Sequence, residues 1–281
     1  MTTTSEYLRY ATSKLSSNSI DTARLDSLIL MEFVLKKDRA KILANPNSKI
    51  SEMQKKVLNH HLTTRSRHIP IAQIIHKSEF YGRSFYINKN VLVPRPESEV
   101  MIDMLKSLIF NDPITRNTQS KQKPIYVADV GTGSGALGIT AKLECPDIKV
   151  DLLDNDPKAI NVAKKNVVLN TINANIIISD LLLSSNKNYD ILICNLPYVP
   201  DDFHINLAAS HEPSTAIYGG TDGLDIYRKL FKSLSNIQHK PLYILSESLP
   251  FSHRPLAIMA KNARYNLIST NDFVQLFKFH Y

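Results

Sequence analysis

The chain has 281 residues, of which 43% are hydrophobic and 21% charged, ordinary proportions for a globular protein with enough chain to bury a core. Its formal net charge of +8 suits an acidic partner or ribosome and RNA proximity as readily as simple solubility. It lacks the run of about 18 apolar residues a membrane span needs. The segment MTTTSEYLRYATSKL has no apolar signal-peptide core, and Cys145 and Cys194 are spaced for neither a zinc site nor a redox pair. The expectation is a cytoplasmic protein with reduced thiols, no membrane partner and no metal.

Residues 1–76 read as helices. Apolar residues at Leu25, Leu28, Ile29, Phe33, Leu35 and Ile42 predict one helix over 21–43 with Asp21 as its N-cap. Asn45-Pro46-Asn47-Ser48 breaks the chain, and a further helix is expected over 51–65. Residues 79–93, EFYGRSFYINKNVLV, are aromatic and β-branched around Gly82 and predict a strand pair. A helix over 98–110 follows PRPESE, and the polar stretch 111–123 reads as a loop. From Ile125 onward strands and helices alternate: IYVADV, ALGITAKLEC, KVDLLD, PKAINVAKKNVVLN, ANIIISD, YDILICN, a helix over 223–234 and PLYILSES. That alternation predicts a parallel α/β sheet with helices on both faces.

Four of the eight glycines fall within eight residues, in D-V-G-T-G-S-G-A-L-G after a predicted strand and before a predicted helix. Glycines there allow a tight turn and close approach of a ligand to the backbone, and the helix start offers free N–H groups to an anion. The spacing is not the dinucleotide G-x-G-x-x-G, which argues against an NAD-linked oxidoreductase; a ligand-free tight turn is the plain alternative. Asp154 ends the second predicted strand, 19 residues beyond Gly135, where an acid can accept both hydroxyls of a ribose; Asp151 and Asp156 compete for that role. Asp180, with Leu181 beside it, ends the third and suits either an adenine amino group or a turn cap.

Asn195-Leu196-Pro197-Tyr198 follows the fourth strand, at the end of the sheet that carries the glycine loop. A planar amide or exocyclic amine is a poor nucleophile because its lone pair is delocalised. The Asn195 side-chain oxygen and the Leu196 carbonyl can accept from both of its N–H groups, and Tyr198 can stack on the plane. The alternative is a simple strand-to-loop turn.

At these residues the sequence resembles the HemK/PrmC family, the protein-(glutamine-N5) methyltransferases of peptide-chain release factors. VLVPRPESE, from Val91 to Glu99, is similar to the family's V-L-I-P-R-P-E-T-E. DVGTGSGALGI, LLDNDPKAINVAKKN, ICNLPYVP and HEPSTAIYGGTDGLDIYRKL follow in family order, and DTARLDSLILMEFVLKKDRAKIL is similar to its helical domain. The resemblance implies a Rossmann-like class I methyltransferase sheet with a small N-terminal helical domain and a connecting β-hairpin: residues 1–76 recognising the protein substrate, 77–97 the hairpin, 98–281 the domain using S-adenosylmethionine. It implies methyl transfer to the glutamine of a release-factor Gly-Gly-Gln loop. Gly131, Thr132, Gly133, Ser134, Gly135, Asp154, Asp180, Leu181 and Asn195 would hold the cofactor. Asn195, Leu196, Pro197 and Tyr198, with Arg95 and Glu97 of PRPESE, would hold the substrate. The chain departs from the family where Leu196 replaces the first proline of N-P-P-Y, and in SLPFSHRP after Glu247.

Two other readings remain. NLPY and the basic charge also suit an rRNA adenine-N6 methyltransferase, against which stand PRPESE and the G-T-G-S-G loop. A binding module that kept the fold and lost activity is the non-enzymatic alternative.

Overall fold

The structure, a computed structural model, describes residues 2–112, 115 and 123–280. Most of the loop expected over 111–123 therefore lies outside the described residues. The chain divides into two compact units, residues 1–76 with 205–211 and residues 77–204 with 212–281.

The first unit is helical: α1 (Thr4–Ser16), α2 (Ala23–Leu35), α3 (Arg39–Ala44), α4 (Glu52–Arg65) and α5 (Ile71–Ile75). Capping boxes start α1 at Thr3/Glu6 and α4 at Ser51/Gln54, each satisfying two otherwise unpaired backbone donors. The single helix expected over 21–43 is two. Lys36 takes a left-handed conformation that ends α2, and the Asp38 side chain accepts from Lys41 N to start α3. Thr22, not Asp21, holds the N-cap position of α2, with no side-chain capping bond. Tyr7, Leu15, Met31, Leu58 and Leu62 form the core. Within it Arg65 donates from Nε to Asp26 at 2.7 Å, a pair buried at both ends.

The second unit opens on a hairpin, β1 (Ser78–Phe80) and β2 (Arg83–Phe85), much shorter than the strand pair read from 79–93. Its two-residue turn, Tyr81-Gly82, has both residues at positive φ, which matches the strand twist. Residues 86–95 continue without regular structure. A 3₁₀ turn at Pro96–Ser98 leads into α6 (Glu99–Asn111).

The remainder alternates as expected: β3 (Tyr126–Val130), α7 (Ala136–Glu144), β4 (Lys149–Asp154), α8 (Pro157–Leu169), β5 (Asn175–Ile178), β6 (Ile191–Cys194), α9 (Asp225–Asn236), β7 (Tyr243–Glu247), α10 (His253–Asn262), β8 (Tyr265–Asn271) and β9 (Val274–Phe279). The strands form one sheet in the order β5-β4-β3-β6-β7-β9-β8. The first five run parallel, and β9 is antiparallel to both neighbours. Successive side chains of β3 face opposite sides. Val130 packs in the cluster containing Tyr227, Leu230 and Phe231 of α9, while Asp129 bonds the first turns of α7 on the other face. Helices thus cover both faces, as parallel strands with continuous apolar runs require.

Strand order reverses at β3, where β4 lies on one side and β6 on the other. Val130 is in register with both Leu153 and Cys194. The residues that follow, Gly131, Asp154 and Asn195, therefore leave the sheet at one level, at its carboxyl edge. Such a switch point is where open α/β sheets bind ligands. Among the described residues no helix is long and apolar enough to cross a membrane, and no cluster of side chains could hold a metal.

Candidate active site

The loop after β3 is shaped by contacts that glycine alone allows. A Cβ on Gly131 would come within 2.9 Å of Leu196 Cδ2, so the glycine loop and the loop after β6 press together at this point. A Cβ on Gly138 would lie 2.3 Å from Leu152 Cδ2, so α7 seats directly on β4. Beneath the loop, Asp129 Oδ2 accepts from Thr132 Oγ1 at 2.6 Å and from Gly138 N at 2.8 Å. Burial pushes the Asp129 carboxyl up to about 6, against the pull of these two donors. Its role is to brace the loop from inside.

Asp154 stands at the cavity. Its Oδ2 accepts from Gly133 N at 2.8 Å and its Oδ1 from Asp156 N at 2.9 Å. Each carboxylate oxygen is held in place and keeps lone-pair capacity for a further donor. Burial raises its pKa, while the backbone bonds oppose the rise. Asp180 lies two residues beyond the end of β5, next to Leu181 at positive φ, and both line the cavity.

Asn195 Nδ2 donates to Ser98 Oγ at 3.0 Å. The Leu196 side chain is buried against Gly131, and Pro197 follows at the cavity wall. The loop that leads into α9 explains two more glycines. Cβ atoms on Gly219 and Gly223 would lie 2.4 Å from Pro197 O and 2.2 Å from Tyr198 O, and Gly219 N donates to Val199 O at 2.9 Å. The GGTDG loop thus backs the Pro197-Tyr198 half of the NLPY turn by close backbone contact.

The cavity is about 260 Å³. It brings together Gly131, Thr132, Gly133, Ser134, Asp154, Asp180, Leu181, Asn195, Leu196, Pro197 and Arg95 of the residues singled out in the sequence. It does not include Gly135, Tyr198 or Glu97. Gly135 is the N-cap of α7 in left-handed conformation. Tyr198 packs toward the core and donates its hydroxyl to Glu247 Oε1 at 2.8 Å. Burial and the neighbouring Glu247 charge raise its phenol pKa. Glu97 is exposed.

The chain is 34% identical over 251 residues to the release factor glutamine methyltransferase of Bacillus cereus, covering 86% of this chain and 84% of that one. The enzyme of the same name from Bacillus subtilis is 30% identical, with 88% and 85% covered. The chain belongs to the release factor glutamine methyltransferase family. Within it, residues 6–75 match the PrmC N-terminal domain and residues 112–212 the methyltransferase small domain. The fold is that of class I methyltransferases. The human METTL16 catalytic domain, in complex with an RNA hairpin, superposes with a TM-score of 0.54 at 16% identity, over 79% of this chain and 82% of that one. The Thermus thermophilus 16S rRNA N2 G1207 methyltransferase, in complex with AdoMet and guanosine, gives 0.51 at 16%, over 73% and 50%.

Several residues of this family member escaped sequence reasoning. Glu212, 6% exposed, accepts from Arg95 Nη2 at 2.7 Å and from Val93 N at 3.0 Å, fixing the VLVPRP segment beside the cavity. Asn166, fully buried on α8, exchanges bonds of 2.6 and 3.0 Å with the Tyr86 backbone and donates to Ser134 O at 2.8 Å. It joins the hairpin, α8 and the glycine loop. Ser98 sits inside PRPESE without having been singled out. Glu212 had a signal, its place in HEPSTAIYGG; Asn166 had none beyond being a polar residue on the inner face of an amphipathic helix.

Proposed function

We infer that this chain transfers a methyl group from S-adenosylmethionine to the side-chain amide nitrogen of the glutamine in the Gly-Gly-Gln loop of peptide chain release factors. The observation that carries the reading is the state of Asn195. Its Nδ2 is committed to Ser98, and among the described residues no hydrogen bond engages its Oδ1, at the mouth of a cavity that also holds Asp154.

The residues fit the cofactor. Asp154 offers two positioned, half-satisfied oxygens to a ribose diol, Asp180 and Leu181 supply polar and apolar surface for an adenine, and residues 131–134 border the space between them and Asn195. When bound, S-adenosylmethionine supplies a methyl group activated by a sulfonium. The protein's work is to present the nitrogen. Asn195 Oδ1 and the Leu196 carbonyl accept the two amide N–H groups, which orients the lone pair and favours the pyramidal form. The Gly131–Leu196 contact sets the distance between the two loops, because methyl transfer needs the atoms within roughly 3–3.5 Å and in line. Leu196 in place of a proline keeps its carbonyl and fills the wall with its side chain.

Residues 1–76 would recognise the protein substrate, 77–97, whose hairpin spans only 78–85, would connect, and 98–281 would carry the chemistry. The release factor as substrate also supports a cytoplasmic protein working near the ribosome, which the +8 charge suits. Mass spectrometry of the release-factor Gly-Gly-Gln peptide after incubation with the protein and S-adenosylmethionine tests this directly. A gain of one methyl on the glutamine is expected. Methylation of rRNA adenine with none on the glutamine would replace the reading by the alternative.

A further inference from the structure

Phe203 and Phe251 are left 44% and 60% exposed, and their ring centroids lie 6.3 Å apart with the planes tilted by 35°. A single exposed apolar residue is ordinary on a protein surface. Here two aromatic rings from separate loops meet each other outside the core around α9. Phe203 lies in the loop that leaves β6, eight residues beyond Asn195. Phe251 lies in the 3₁₀ turn Pro250–Ser252 that follows β7. Cys194 and Ser246 are in register, so both loops start at the level where Asn195 leaves the sheet. The Tyr198 hydroxyl, bonded to Glu247 at 2.8 Å, ties the two loops at their roots. Further out, Asp201 N donates to Gly220 O, Phe203 N to Pro200 O and Ser252 N to Leu249 O, so the backbone under each ring is held in a turn. Rings on such a base lose little freedom when something binds them. Neither lines the cavity, and the mechanism above leaves both unused.

The chemistry of the substrate says what covers them. A Gly-Gly-Gln loop offers the cavity one side-chain amide and two residues with no side chain at all. The cavity can orient that amide but finds little else on the loop to grip, so affinity for the protein must come from residues flanking it. The two rings are apolar; exposed Asp201 and Asp202 precede one, and exposed Arg254 follows the other. An aromatic anchor with a polar rim is the usual build of a protein–protein contact. The two aspartates disfavour the phosphates that a nucleic acid would bring, and two rings fall far short of the roughly 800 Å² per partner that a stable dimer buries. We propose that Phe203 and Phe251 are the docking point for an apolar side chain of the release-factor segment that flanks the Gly-Gly-Gln loop. The inference rests on the reading of the release factor as substrate. Phe251 falls in SLPFSHRP, where the chain departs from the family, so the pair belongs to this chain and not to the shared motifs.

The test uses the full chain with Phe203→Ala, Phe251→Ala and Phe251→Trp. Both rings are exposed, so the variants should keep the fold and nearly all of its stability. Each alanine variant should raise KM for the release factor about tenfold, the usual effect of removing an aromatic anchor. Turnover at saturation and cofactor affinity should stay within about threefold, because the rings touch neither the cofactor nor the reacting nitrogen. The chain has no tryptophan, so Phe251→Trp puts a single fluorophore at the pair. Its emission should move to shorter wavelength when the release factor is added without S-adenosylmethionine. This readout needs no methyl transfer. A shift with the release factor, from a protein that leaves its glutamine unmethylated, supports the docking while the reading of the activity falls. Methylation with unchanged KM in both alanine variants and no shift overturns the docking and leaves that reading intact. A shift with an rRNA hairpin and none with the release factor overturns it in favour of a nucleic acid. A shift that grows with the protein's own concentration overturns it in favour of a second copy of the chain.

Discussion

Glu212 and Arg95 form an ion pair of 2.7 Å with unequal partners: the carboxylate side chain is 1% exposed and the guanidinium side chain 37%. The second carboxylate oxygen accepts from Val93 N. Burial raises the Glu212 pKa, and Arg95 is the strongest influence lowering it. Arg95→Ala should therefore leave a buried acid with one backbone donor, at a cost of about 1–3 kcal/mol in chemical denaturation. Glu212→Gln should cost less, because its amide oxygen still accepts from Val93. Equal losses from the two variants would show that the pair contributes nothing beyond packing.

Asp154→Ala removes both oxygens that hold Gly133 N and Asp156 N and that are proposed to hold the ribose. Cofactor affinity should fall about tenfold or more, from the loss of charge-assisted contacts worth roughly 1.5–3 kcal/mol. Isothermal titration calorimetry reads this, and unchanged affinity would mean that the acid was misassigned.

Asp129 gives a pH signature. Its carboxyl is raised to about 6 from an ordinary 3.8, so between these values the folded state binds more protons than the unfolded one. Stability from this group is then greatest below about pH 4 and is lost as pH rises toward 6, by on the order of 2–3 kcal/mol. Asparagine can accept from Thr132 and Gly138 with its single oxygen, as Oδ2 does now. Asp129→Asn should flatten that part of the stability curve, and denaturation midpoints measured from pH 4 to 7 check it. An unchanged slope would show that another carboxyl is responsible.

Gly219→Ala places a methyl 2.4 Å from Pro197 O, against backbone that cannot yield cheaply. The NLPY turn should shift. Turnover should drop by on the order of tenfold or more while cofactor affinity changes little, because a displacement near 1 Å at the reacting groups is enough. Normal turnover would mean that the GGTDG loop does not set the position of Asn195.

What the sequence revealed and what it hid divide along a physical line. Gly131, Asp154 and Asn195 were legible because a parallel sheet delivers the residue after each strand to one edge, so strand ends and glycine loops can be read locally. The break between α2 and α3 was partly legible: Asp38 is a capping residue, but a continuous apolar stripe from Leu25 to Ile42 masked it, and a left-handed Lys36 carries no side-chain signal. Glu212, Asn166 and the Ser98–Asn195 contact join residues 117, 80 and 97 positions apart. No periodicity encodes such pairs, because they exist only once the sheet and hairpin have assembled. Tyr198 shows the converse. Its aromatic ring suggested a stacking surface, but its hydroxyl is used inward, on a carboxylate whose partners only the fold reveals.

The central claim is that Asn195 presents an acceptor to the substrate amide, and single-turnover methylation of a release factor by Asn195→Ala tests it most directly. Losing one preorganised polar contact of this kind should lower the rate by about 10²–10³-fold, while cofactor affinity, held by Asp154 and the glycine loop, stays close to that of the unsubstituted protein. Asn195→Asp keeps an acceptor but adds a charge that can over-stabilise the sulfonium ground state, so it should fall between the two. A near-normal rate from Asn195→Ala would contradict the mechanism and the assignment of this cavity as the active site.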